Sequence, residues 1–248
     1  MAEGPSAAAT GLNFDRVTGK TAARKTSRCH RGVAVDGAAQ DGFTTEKKSL
    51  HARERDTEAN QQKRQAFREE IRTIPVEKLL FLDESGVTTH MTRLWGRAPV
   101  GEPIAEAIPQ GHWTVMTMLG TMSVRGIEAL MTIEAATDGE VFTAYVEQVL
   151  CPKLQSGDVV ILDNLSAHKV QGIRERIAAC GARLLYLPPY SPDLNPIEKA
   201  WFKLKQFLRA AKARTAEALE PAIAEALKTI TADDAAAWFR HCGYALQN

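Results

Sequence analysis

With 248 residues the chain is long enough for one large domain or two small ones. Hydrophobic residues make up 44% of it, enough to bury a core, yet no apolar run approaches membrane-spanning length. The formal net charge of +1 excludes a uniformly basic molecule, so any nucleic-acid surface must be a local patch.

Residues 1–45 show no sustained period and few large apolar side chains. Such a segment cannot bury enough surface to offset its chain entropy and is expected to be disordered. It also lacks the basic-then-apolar pattern of a secretion signal. Residues 46–75 are charge-dense with a thin apolar stripe, which predicts a linker helix ending near Arg72. From residue 76 to 248 the texture is that of an α/β domain. Residues 76–82 form an apolar run, read as a buried strand that ends at Asp83, with Glu84, Ser85 and Gly86 as turn formers. Residues 88–108, rich in Gly and Pro, predict a long loop. Residues 113–121 and 126–133 predict two strands joined by a turn near Ser123. Thr137 or Asp138 can cap a helix running through Val149, with Pro152 just past its end. Residues 158–162 predict a buried strand ending at Asp163, residues 170–180 a helix stopped by Gly181, and residues 183–187 a fifth strand. Three helices follow, over 196–211, 215–229 and 232–240. Strands first adjacent and then alternating with helices predict an α/β, ribonuclease-H-like fold: a mixed five-stranded sheet flanked by helices. Cys29, Cys151, Cys180 and Cys242 fit no disulfide or zinc spacing and read as reduced thiols.

Three acidic residues stand at element ends. Asp83 and Asp163 each follow an apolar run, and Glu198 opens a helix, with 34 residues between the last two. Each has a plain structural alternative. Asp83 and Asp163 sit beside turn formers. Glu198 falls three residues after Asn195, a good N-cap with Pro196 behind it, and would close a capping box. Two observations favour chemistry. The ends of parallel strands are where α/β sheets place ligands, and the rigid turn PPYSPDL sets where the last helix begins. Two strand-end carboxylates and a helix-borne glutamate can converge on a pair of divalent cations, the layout of two-metal phosphodiester chemistry. Glu84 is set aside because neighbouring side chains on a strand point to opposite faces. His168 and Lys169 follow Asp163 and are either packing residues or contacts to substrate phosphate. Lys205, Arg209 and Lys212 recur on the Glu198 side of its helix, as a solvated basic face or as one that holds a phosphate backbone.

The segments FLDESG, LDNLSAHK and LPPYSPDLNPIEKAWFKLK resemble the three catalytic signatures of bacterial insertion-sequence transposases of the mariner superfamily, which are DDE-type endonucleases. The resemblance runs from about Lys47 to Tyr244 and is most specific in the last segment; the spacing of 34 matches as well. It implies DNA strand cleavage and strand transfer in cut-and-paste transposition. Asp83, Asp163 and Glu198 would be the catalytic residues and would bind the cofactor, two Mg²⁺ or Mn²⁺ ions. The implied partner is double-stranded DNA, at element ends and target, with no membrane. A second copy of the chain and a separate helix-turn-helix subunit or reading frame are further partners that the resemblance raises. The implied location is the bacterial cytoplasm, on the nucleoid when DNA is bound. Relatives carry an N-terminal helix-turn-helix region, and residues 1–45 show no such pattern. The expectation is a catalytic part alone, the second frame of a split element or a truncated copy. Two alternatives stay open: an idle remnant that only binds DNA or a partner, and a cellular ribonuclease-H-like nuclease.

Overall fold

The computed structural model describes residues 50–109, 111–163 and 172–245. The chain divides into residues 1–49 and residues 50–248; the expectation for residues 1–45 lies outside the described residues. Five strands form one mixed sheet: β1 (Leu79–Thr88), β2 (Val115–Ser123), β3 (Gly126–Ile133), β4 (Val159–Leu162) and β5 (Arg183–Tyr186), in the order β3-β2-β1-β4-β5. β2 runs antiparallel to both β1 and β3, and β1, β4 and β5 run parallel. The helices are α1 (Glu58–Ile71), α2 (Gly139–Tyr145), α3 (Ile173–Ala179), α4 (Ile197–Ala211), α5 (Ala216–Lys228) and α6 (Ala232–His241). The architecture expected from the order of elements is therefore the one found.

Local chemistry explains most boundaries. β4 is apolar at every position because a central parallel strand is covered on both faces. Asp138 starts α2 by accepting the backbone N–H groups of Glu140 and Val141. Thr231 and Asp234 form a reciprocal capping box at the start of α6. In α4 the residues Ile197, Ala200, Trp201, Leu204 and Leu208 recur at helical spacing and are the buried ones.

The sheet separates two apolar layers. Phe81, Val87, Met118 and Ile161 face α1, α4, α5 and α6, where they meet Phe67, Trp201, Leu204, Leu219 and Phe239. Leu82, Leu119, Val160 and Leu162 face α2 and α3, where they meet Phe142, Tyr145 and Ile177. Alternation along each strand produces this split.

Two expectations need correction. The linker helix does not run from residue 46 to 75: a short turn occupies Arg53–Asp56 and the helix proper is Glu58–Ile71. The first strand does not end at Asp83 either. Residues 76–78 form a tight helical turn, and β1 continues through Glu84, Ser85 and Gly86 to Thr88. The local turn preference of that stretch is overridden because Glu84–Thr88 pairs with Leu119–Val115 of β2 and buries Val87.

Gly120 lies opposite Asp83 in this ladder, on the face covered by α4. A Cβ there would stand 2.5 Å from Trp201 Cη2 and 3.1 Å from Leu130 Cδ1. Glycine is thus what lets the Trp201 indole of α4 approach β2 this closely. Gly120→Ala is expected to lower stability by about 1–3 kcal/mol, the usual cost of overpacking, read as a lower denaturant midpoint. An unchanged midpoint would mean that Trp201 has another place to go.

Candidate active site

The parallel register brings the first two acidic residues together. Leu82 pairs with Leu162, so Asp83 and Asp163 occupy the next rung, where the pairing of β1 with β4 stops. Adjacent strands lie about 4.8 Å apart, and Phe81 and Ile161, two residues before each, share one face of the sheet. Asp83 is buried, Asp163 half-buried. Glu198, in the first turn of α4, approaches from that same face. All three line one cleft of about 430 Å³, walled by Leu187, Pro188, Pro189 and Asn195.

The electrostatics of the cleft tie its groups to one another. Much of Glu198's surface meets solvent, but partial desolvation of its carboxyl raises its pKa; the Lys205 ammonium opposes the rise and the Asp163 carboxylate adds to it. A carboxyl whose pKa is raised on folding favours the fold below the ordinary glutamate range, and that contribution is lost as pH rises through the raised value. Ionised Glu198 is therefore a cost near neutral pH, of a kind a bound cation offsets. Lys205, half-buried one face along α4, has its pKa lowered by burial; Glu198 and Asp83 oppose this and Arg209 reinforces it.

The candidate basic residues separate on inspection. Lys205 and Arg209 are half-buried on the Glu198 side of α4. Lys212 ends the helix in a left-handed conformation, φ 54°, and its Nζ pairs with Glu106 at 2.7 Å, away from the cleft. His168 and Lys169 lie outside the described residues.

Three residues to which sequence reasoning gave no role in the site belong to the cleft's construction. The structural alternative for Glu198, a capping box closed with Asn195 as N-cap, is not formed: among the described residues no side chain caps α4. Asn195 Nδ2 instead donates to Asp83 Oδ2 at 3.1 Å, and the Glu84 N–H donates to Asp83 Oδ1 at 2.8 Å. Arg64 of α1, 1% exposed, forks onto the turn that forms the cleft wall: Nη1 to Ser191 Oγ at 2.7 Å and Asp193 Oδ1 at 3.0 Å, Nη2 to Asp193 Oδ2 at 2.7 Å. Tyr190 stands at the rim, half exposed, with φ 56°. Positive φ in a non-glycine residue is uncommon and gathers at functional sites. An SPDLNP turn after a strand could have flagged Asp193 as awaiting a cation, but nothing local names Arg64, 129 residues away.

The cleft's donor set suits a hard divalent cation. Its described lining offers carboxylate and amide oxygens, the ligands Mg²⁺ and Mn²⁺ prefer, and no thiol or imidazole. Among the described residues no three His, Cys, Asp or Glu are close-set around one point. A two-ion arrangement, with ions about 3.5–4 Å apart, asks only that carboxylates be shared between them.

Comparison with known proteins agrees with this geometry. Residues 78–220 match the family model described as DDE superfamily endonuclease, a segment that contains β1, the cleft and all of α4. The transposable element Tcb2 transposase of Caenorhabditis briggsae is 30% identical over 131 residues, covering 49% of this chain and 48% of that protein. The chain thus spans about half the length of that relative. Among solved structures, the Mos1 mariner paired end complex with Mn superposes with a TM-score of 0.61 at 13% identity, covering 82% of this chain and 65% of that one. The catalytic domain of Mos1 mariner transposase gives a TM-score of 0.53 at 12% identity over 81% of this chain and 92% of that one. The family match covers more than half of the chain, and the sheet superposes on that of the Mos1 catalytic domain: the chain belongs to the DDE superfamily endonucleases, with the ribonuclease-H-like fold of a transposase catalytic domain.

Proposed function

We propose that the chain is the catalytic part of a cut-and-paste DNA transposase of the mariner superfamily, from a bacterial insertion sequence, acting on double-stranded DNA at element ends and target. The observation that supports it best is that carboxylates from β1, the end of β4 and α4 line one cleft within the family segment. In this reading Asp83, Asp163 and Glu198 hold two Mg²⁺ or Mn²⁺ ions. When bound, such ions would supply Lewis-acid activation of the attacking oxygen and charge neutralisation at the leaving one.

The chain's own residues do the rest. Asp83 is held at both oxygens by Glu84 N–H and Asn195 Nδ2, so its carboxylate presents a set direction. The buried residues beneath it on the interior strands β1 and β4, Phe81 and Ile161, keep water from one side. Lys205 and Arg209 rise on the Glu198 side of α4, one turn apart, and hold the DNA backbone without reading sequence. His168 and Lys169, just beyond Asp163, are assigned to the same phosphate contact. A second copy of the chain, or a separate helix-turn-helix subunit, brings the element end to the cleft. The working location is the nucleoid of a bacterial cytoplasm.

Glu198→Gln and the Lys205→Ala/Arg209→Ala double variant separate chemistry from binding. Glu198→Gln is expected to lose Mg²⁺-dependent nicking and keep most DNA affinity. The double variant is expected to weaken specific and random duplexes about equally and to flatten the slope of log affinity against log salt by roughly two. The measurement is a salt titration of DNA affinity beside a plasmid-nicking assay. An unchanged slope returns that face of α4 to solvent. DNA binding by the wild type without any cation-dependent nicking would identify an idle remnant, and cleavage without strand joining a cellular nuclease.

A further inference from the structure

We infer that Asn195 is a working residue of the cation site: its Nδ2 positions Asp83, and its Oδ1 is a neutral oxygen donor to the divalent cation or to a water on it. The inference rests on the reading that Asp83, Asp163 and Glu198 hold the cations, and it adds a residue that no carboxylate count contains.

Asn195 is 4% exposed and lines the cleft between Asp83 and Glu198. Its amide orientation follows from its neighbour. A carboxylate only accepts hydrogen bonds, so the nitrogen must face Asp83 Oδ2 and the oxygen must face elsewhere. That Oδ1 is buried and has no hydrogen-bond partner among the described residues. Buried acceptors are nearly always satisfied, and one left over calls for an explanation. The usual one for an Asn before a Pro-led helix, capping, does not apply, because no side chain caps α4. The backbone carbonyl of Asn195 does accept the Glu198 N–H, at 3.4 Å. One residue that lines the cleft therefore touches Asp83 through its side chain and Glu198 through its main chain, and it carries a spare buried oxygen. Neutral amide oxygens are ordinary ligands of hard divalent cations, and groups that orient ligands typically change metal affinity 10- to 100-fold when removed.

The test uses the full chain without DNA. Mn²⁺ is titrated in, and free Mn²⁺ is read by its electron paramagnetic resonance signal, beside the melting temperature with and without Mn²⁺. Asn195→Ala is expected to weaken Mn²⁺ binding about 10- to 100-fold. Asn195→Asp keeps an oxygen at the position but sets a second carboxylate against Asp83. It is expected to melt lower than wild type without Mn²⁺, to bind Mn²⁺ more tightly, and to show the larger rise in melting temperature on adding it. If Asn195→Ala does not fold, the isosteric Asn195→Asp decides alone. Mn²⁺ affinity in Asn195→Asp equal to or below wild type overturns the inference, as does wild-type affinity in a folded Asn195→Ala. Asp163→Asn is the control for the underlying reading. If it leaves Mn²⁺ binding unchanged, the carboxylate site itself is wrong; if it weakens binding while the Asn195 variants do not, only the role of Asn195 is.

Discussion

Asp83→Asn and Asp163→Asn are each expected to abolish Mg²⁺-dependent nicking while the protein still unfolds in one cooperative transition. The loss should be on the order of 10³-fold or more, because cation-borne charge stabilisation is worth several kcal/mol and each 1.36 kcal/mol is tenfold in rate. The fold should survive for a geometric reason. Neither carboxylate is part of the apolar layers, and the strands beneath them are held by Phe81, Leu82, Ile161 and Leu162. Asp163→Asn should also lower the pKa of Glu198, since the Asp163 carboxylate contributes to its rise. The checks are a nicking assay with Mg²⁺, with Mn²⁺ and with excess chelator, and a chemical denaturation curve for each variant. Wild-type nicking by either variant would remove these residues from the site.

The second large effect is expected away from the cations. Arg64→Met should destabilise the fold by about 3 kcal/mol, the lower end for breaking a buried ion pair. The lower end applies because Asp193 is 39% exposed and part of its charge returns to water. Arg64→Lys should recover only part of the loss, since an ammonium cannot repeat the fork onto Ser191 and Asp193. Burial alone would raise the Asp193 pKa, but the Arg64 hydrogen bond and charge, with Arg55 beyond, hold it below the usual range. A carboxylate whose pKa is depressed by folding contributes stability that is present above the unfolded value and lost as pH falls through the folded one. The gap between wild type and Arg64→Met should therefore narrow as pH drops below about 4, the ordinary aspartate range. Nicking should fall too, because the turn that Arg64 grips also forms the cleft wall. Denaturation midpoints across pH measure the first effect, and a gap that stays constant into acid would rule out Asp193 as the partner that matters.

These two expectations draw on different kinds of information. Asp83 and Asp163 were visible as acids after apolar runs and Glu198 as an acid opening a helix, and all three line one cleft. The role of Arg64 was not, because its helix reads only as charge-dense with a thin apolar stripe. Within α1 the buried positions are Arg64, Phe67 and Ile71, a spacing of three and four, and the sequence pattern does not distinguish a buried arginine from the exposed ones around it. Asn195 was misread for a related reason. Its preference for the N-cap is a local tendency, and the Asp83 carboxylate, 112 residues earlier, outcompetes it as a partner.

By itself, then, the sequence determined what local rules govern. Apolar runs bounded by Gly, Pro and Asp set the number and order of strands. Helical spacing set the buried face of α4, and motif composition set the family. Each of these depends on residues within a few positions of one another. The tertiary structure decided what depends on residues far apart. It carried β1 five residues past Asp83, because β2 pairs with that stretch. It kept a glycine at 120, because Trp201 lies on it. It turned Asn195 toward Asp83 and closed Arg64 onto the cleft wall. Such contacts leave no local signature, since pairing between residues far apart in the chain is chosen by the packed chain and not by the propensity of either residue alone.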